Sequence, residues 1–148
     1  MYPNAKGSEL LAILATLDPA SVAVGTVTTG WISAGNHHGL LAVIQTGVLG
    51  ASATLDAKLQ QATDASGTGA KDITGRALTQ IVKASGDNKQ ALINLKPEEL
   101  DTVNGYGFVR LSLTVGTAAS QASAQLLGVN PRYASADASN QAAVVQIV

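Results

Sequence analysis

Apolar and polar residues alternate along most of this chain in short runs separated by glycine-rich or polar breaks. In residues 53–61, Leu55, Ala57 and Leu59 interleave with Asp56, Lys58 and Gln60. A period of two marks a strand with one face buried. Residues 108–116 repeat the pattern, with Val109, Leu111, Leu113 and Val115 against Phe108, Arg110, Ser112 and Thr114. So do residues 90–95 (Ala91, Ile93, Leu95 against Gln90, Leu92, Asn94) and 120–128 (Ala122, Ala124, Leu126 against Gln121, Ser123, Gln125). Residues 40–47, LLAVIQTG, are nearly all apolar and predict a strand buried on both faces. Residues 22–33 are rich in Val and Thr but hold two glycines, which predict a bulge or bend. The segment 72–82 reads as a further β stretch. Turns are expected at 34–39, 47–52 and 85–88, and a short helical turn after Pro97.

These runs predict an all-β fold, an antiparallel β-sandwich of jelly-roll type with about seven or eight strands. Helices do not alternate with strands, so a parallel βαβ sheet is not expected. The ends read differently. In residues 8–17, SELLAILATL, Ser8 could cap a helix with Leu10, Leu11, Leu14 and Leu17 on one face, stopped by Asp18-Pro19. The same residues also suit an extended arm. Residues 130–148 are small and polar before ending in the β-prone VVQIV. An unpaired apolar strand is an aggregation hazard, so this segment should pair within its own sheet or with a neighbour. The expected organisation is an N-terminal arm or short helix over 1–20, a sandwich domain over 21–129 and a C-terminal arm over 130–148. The apolar residues of the arms, Tyr2, Leu10, Leu14, Tyr133, Val144, Val145 and Ile147, are the candidate partner contacts, with Tyr133 the best anchor.

Composition sharpens this picture. The chain has 148 residues, 46% hydrophobic but only 3% aromatic and 13% charged. Small apolar side chains bury little area each, and a weakly charged surface does little to keep copies apart. Both features suit a protein that completes its burial against partners. The net charge is −1, without the Lys/Arg clustering that a nucleic acid or an anionic membrane requires. No apolar run is long enough to cross a bilayer as a helix, and the N-terminus lacks a signal-peptide layout, so the chain reads as soluble and unprocessed. There is no cysteine, and hence no disulfide framework.

Chemistry is hard to find. Adjacent His37 and His38 would point to opposite faces of a strand, and zinc needs three or four ligands, so a surface turn is expected. Asp64 and Asp72 flank ASGTGAK, which departs from an EF-hand loop and suits a hairpin. The GTG at 67–69 lacks the P-loop ending, and Glu98, Glu99 and Asp101 read as a solvated acidic turn. No catalytic residue, metal site or cofactor is expected, and the chain does not read as an enzyme. Trp31, Tyr106 and Phe108 are expected mostly in the core.

The order of these segments is similar to that of small head structural proteins of tailed bacteriophages and prophages. In that family a buried strand ending in Gly precedes a strand with Leu-Gln and a following Asp. A polar hairpin leads to Asp-Val or Asp-Ile, and a later strand carries an aromatic followed by Val-Arg and ends in Thr-Val. Leu59-Gln60 with Asp64, Asp72-Ile73, Phe108-Val109-Arg110 through Thr114-Val115, and the closing Leu126–Gly128 with Pro131–Tyr133 match. The likeness spans most of 18–135 and departs at Ala70-Lys71, where the family often has an aromatic. It implies a capsid decoration, or cement, protein, made in the host cytoplasm and located on the virion surface. It would be a homo-oligomer that bridges subunits of the major capsid protein. A tail or head–tail connector protein and a carbohydrate-binding sandwich are the alternatives.

Overall fold

The alternating runs fold as strands. A computed structural model describes residues 4–148. A short helix α1 (Gly7–Leu10) leads into β1 (Leu11–Val22), followed by β2 (Gly25–Thr28), β3 (Ile32–Ser33), β4 (His37–Thr46) and β5 (Thr54–Ala62). Then come β6 (Lys71–Ala77), β7 (Ile81–Val82), a helical turn α2 (Lys83–Gly86) and β8 (Gln90–Leu95). Two 3-10 turns, Pro97–Glu99 and Thr102–Asn104, precede β9 (Phe108–Gly116) and β10 (Ser120–Pro131), and a last 3-10 turn spans Ala136–Ser139.

All pairings are antiparallel. One sheet runs β1-β10-β4-β8, and the other β2-β9-β5-β6, with β3 added beside β9 and β7 beside β5. With the two-residue strands β3 and β7 left out, successive strands feed the two sheets in jelly-roll order. The sheets close face to face over one core. Leu40, Ala42, Ile44, Ile93, Leu95, Ala122, Ala124 and Leu126 come from the first sheet, and Leu55, Ala57, Leu59, Val109, Leu111, Leu113 and Val115 from the second. On the inward face β10 supplies Ala122, Ala124 and Leu126, and β9 supplies Val109, Leu111, Leu113 and Val115.

Several expectations change. The segment 8–17 is neither a free arm nor a full helix: only Gly7–Leu10 is helical, and residues 11–22 are a strand of the sandwich. The expected boundary at 20/21 therefore falls inside β1, and that at 129/130 inside β10. Register shifts fall between Ile13 and Ala15 and between Leu17 and Ala20, so Pro19 sits at a bulge, where its missing N–H is tolerated. Strand β4 is not buried on both faces. Leu40, Ala42 and Ile44 are buried, but Leu41 and Val43 are half-buried and Gln45 exposed, because no further layer among the described residues covers the outside of this sheet. The turn expected over 34–39 ends earlier, and His37 is in β4.

Candidate partner-binding surfaces

The arm residues start from the β1 side of the first sheet. After Pro131 the chain turns back, held by Arg132, whose N–H donates to Asn36 O at 2.9 Å and whose Nε donates to His37 O at 3.1 Å. Ala136 is fully buried, and the chain then meets the open edge of β1. Ile13 N–H donates to Asn140 Oδ1 and Gln141 N–H donates to Ile13 O, both at 2.8 Å. Gln141 Nε2 donates to Thr16 Oγ1 at 3.1 Å. Beyond Gln141 the chain leaves the sheet.

The candidate contacts divide accordingly. Tyr2 lies outside the described residues. Leu14 is half-buried against the core, which makes it a packing residue in this chain. Leu10 is half-buried and shares a groove of about 380 Å³ with Ala5, Glu9, Pro131 and Tyr133. Tyr133 is 82% exposed. Val144 is half-buried, Val145 is 93% exposed and Ile147 is half exposed. VVQIV forms no strand, so the pairing expected for it within its own sheet is not present. The fold thus sets Leu10 and Tyr133 together at the chain's turning point, while Val145 and Ile147 stand free beyond the β1 edge.

Sequence reasoning missed a second cluster. Trp31, Tyr106 and Phe108 are half-buried and outside the core, because the period-two face holding Phe108 and Arg110 points outward from the second sheet. They gather around the hairpin between β5 and β6. Gly67 lies so close to Trp31 that an added Cβ would sit 2.4 Å from its Nε1, and Tyr106 donates its hydroxyl to Gly69 O at 3.0 Å. These rings support the loop where Ala70-Lys71 departs from the phage pattern. One face of each ring meets a cation: Arg110 lies 4.5 Å from the centre of Trp31, and the Lys71 ammonium 4.1 Å from that of Tyr106. The outward alternation of Phe108 and Arg110 was the signal that could have placed them.

The hairpin uses its own carboxylates. Asp64 Oδ1 accepts the N–H groups of Ser66 and Thr68. Bonds from the Thr68 side chain, then from main-chain N–H groups, hold its carboxyl below the ordinary value. Asp72 is lowered by Lys58 at 2.8 Å and by Gln60. Asp101 accepts Lys71 at 2.5 Å, which lowers the acid and raises the amine. Glu98 pairs with Arg132, and Glu99 with Arg76. Among the described residues no group of three or more His, Asp or Glu side chains is arranged to hold a metal.

The histidines do take opposite faces, but not in a surface turn. His38 is exposed, whereas His37 is 1% exposed with neither ring nitrogen bonded among the described residues. Burial pushes its imidazole below the ordinary value of 6.5. The ring lies against Gly128, where an added Cβ would meet it at 2.6 Å.

No family model and no curated protein matches the sequence. Among solved structures, the SPBc2 prophage-derived protein YomS is similar at 8% identity over 81% of this chain and 93% of that one, with a TM-score of 0.46. A protein of the cowpea mosaic virus top component aligns at 12% identity over 87% of this chain and 92% of that one, TM-score 0.42. A CBM4 structure aligns at 13% identity over 81% and 79%, TM-score 0.40. Likenesses this distant carry no argument about function.

Proposed function

We propose that this chain is a virion structural protein of the capsid-decoration type, which binds the outside of an assembled shell and bridges neighbouring copies of the major capsid protein. The observation that carries this reading is the β1 side of the sandwich. There the chain after β10 passes a groove flanked by the exposed Tyr133 and, beyond Gln141, runs into an uncharged segment with Val145 93% exposed. The resemblance of the strand and hairpin motifs to phage head proteins supports the same reading.

The mechanism is physical. Residues 142–148 reach a neighbouring subunit, Tyr133 and Leu10 anchor the body, and each copy buries surface that exists only in the lattice. A ligand that binds the assembled state alone stabilises it by mass action, and many modest contacts sum across the shell. A sugar-binding reading would need open aromatic faces, and one face each of Trp31 and Tyr106 is taken by Arg110 and Lys71.

The test is co-sedimentation of purified protein with expanded shells, unexpanded shells and free capsid subunits. The reading expects saturable binding to expanded shells and a raised shell-melting temperature. Presence in virions without shell binding would move the protein to the tail or connector. Absence from virions would reject a structural role.

A further inference from the structure

The sandwich protects its sheet edges unequally. The β1 edge is interrupted by two register shifts and covered at Ile13 by Asn140 and Gln141. The β6 edge carries Lys71, Asp72 and Arg76, with Gly75 at φ +75°. The β2 edge is only four residues long. Charges, bulges, short strands and coverage are the usual ways to stop a sheet edge from pairing with another chain.

Strand β8, QALINL, carries none of these on its own residues, and only Arg76 of β6 shares a groove with its Asn94 and Leu95. It contains no charge, proline or glycine, and its register with β4 runs unbroken from Leu40↔Leu95 to Gln45↔Gln90. Its free edge can be assigned. Thr46 N–H donates to Lys89 O at 2.9 Å, one step beyond Gln45↔Gln90. Bonded pairs alternate along an antiparallel ladder, so Ala91, Ile93 and Leu95 direct their N–H and C=O groups to β4. Gln90, Leu92 and Asn94 direct theirs outward, where no described main-chain group bonds them. On the outer face, Leu92 is 57% exposed beside half-buried Val43.

We propose that a second copy of this chain binds this edge, β8 antiparallel to β8, about a two-fold axis at Leu92. The sequence is self-complementary in that register. Leu92 stands opposite Leu92 of the second copy, Gln90 opposite its Asn94, and Ala91 opposite its Ile93. Each outward residue exchanges both its N–H and its C=O with an outward residue across the axis. Apolar meets apolar and amide meets amide, and neither Lys89 nor Lys96 faces a like charge. Sliding the register by two places sets Leu92 against Asn94 and Lys96 against Gln90, which loses this match. The two first sheets become one continuous sheet, with Val43 and Leu92 of both copies forming an apolar stripe across the join. The arms on β1, at the opposite edge of the same sheet, stay free for other contacts.

Single-cysteine variants test the register, since the chain has no cysteine of its own. Directly opposed residues of a bonded antiparallel pair lie about 5.5 Å apart at Cα, within disulfide reach. Leu92→Cys should therefore form a disulfide-linked dimer under mild oxidation. Gln90→Cys should not, because its counterpart lies roughly 14 Å away along the strand. Wild-type protein should sediment at twice the 14.9 kDa chain mass, and Leu92→Lys at the single mass with an unchanged circular dichroism spectrum. A wild-type monomer at every concentration, equal cross-linking of the Gln90→Cys and Leu92→Cys variants, or a Leu92→Lys variant that keeps the wild-type mass would overturn the proposal.

Discussion

Gln141 donates its backbone N–H to the carbonyl oxygen of Ile13 at 2.8 Å, and this bond marks where the C-terminal chain stops belonging to the sandwich. Before it, Ala136 is fully buried and Asn140 takes up the Ile13 N–H. After it, Val145 and Val148 are almost wholly exposed. Removing residues 142–148 should leave stability within about 0.5 kcal/mol of the full chain. Ending the chain after Ser135 also exposes the β1 edge and should cost roughly 1–3 kcal/mol. Denaturant midpoints of the two truncations decide this. Equal midpoints would mean the contact at Ile13 holds nothing.

His37 should make stability fall on mild acidification. Its folded-state pKa is depressed by burial, so its contribution is complete above the unfolded value of 6.5 and is lost as pH falls from there through the folded value. The carboxylates held low by their partners act in the same direction but below their ordinary values of 3.8 and 4.5. Melting temperatures between pH 5 and pH 7.5 therefore isolate the histidine. His37→Leu should flatten that slope. It should also stabilise at pH 7.5 by on the order of 1 kcal/mol, because a buried imidazole with unbonded nitrogens gives way to an apolar side chain. An unchanged slope would rule out His37 as its source.

Gly67 is constrained twice. Its φ is +85°, and its missing side chain leaves room for the Trp31 indole. Gly67→Ala should destabilise by about 1–3 kcal/mol through strain and overpacking. Gly105, with φ +80° but open space around it, should cost less on the same change. Thermal melts of the two alanine variants make the comparison, and a Gly67→Ala loss no greater than the Gly105→Ala loss would contradict the packing role of Trp31.

Tyr133 presents the opposite case. At 82% exposure it holds little of the fold, so Tyr133→Ala should leave the melting temperature unchanged. If it anchors the shell contact, the same change should weaken shell binding by roughly tenfold or more. Binding isotherms on expanded shells read this directly, and unaltered affinity would remove Tyr133 from the interface.

Much of the sandwich was legible because β5, β8, β9 and β10 keep a clean period of two and need only one covered face. Strand β1 was not. Its register shifts near Leu14 and Asp18-Pro19 break the phase, so Leu10, Leu11, Leu14 and Leu17 imitate a helical face while Ala12 and Ala15 take the inward positions. His37 was misplaced because strand pairing with β10, opposite Pro131, extends β4 back into what local sequence marks as a turn. The Trp31–Gly67 and Tyr106–Gly69 contacts join residues far apart in the chain, which no local pattern encodes. Of the apolar residues in the expected arms, Tyr133, Val145 and Ile147 are exposed, Leu10 and Val144 are half-buried, and the bulged strand draws Leu14 against the core.

The central claim is that the free C-terminal segment carries the chain to an assembled shell. The most direct measurement compares full-length protein with the form ending at Gln141 for binding to expanded shells and to free capsid subunits. The account predicts saturable binding of the full chain to shells alone, and a loss of at least tenfold in affinity for the shortened chain at unchanged stability. Equal binding of both forms, or binding of free subunits as strong as of shells, would contradict it.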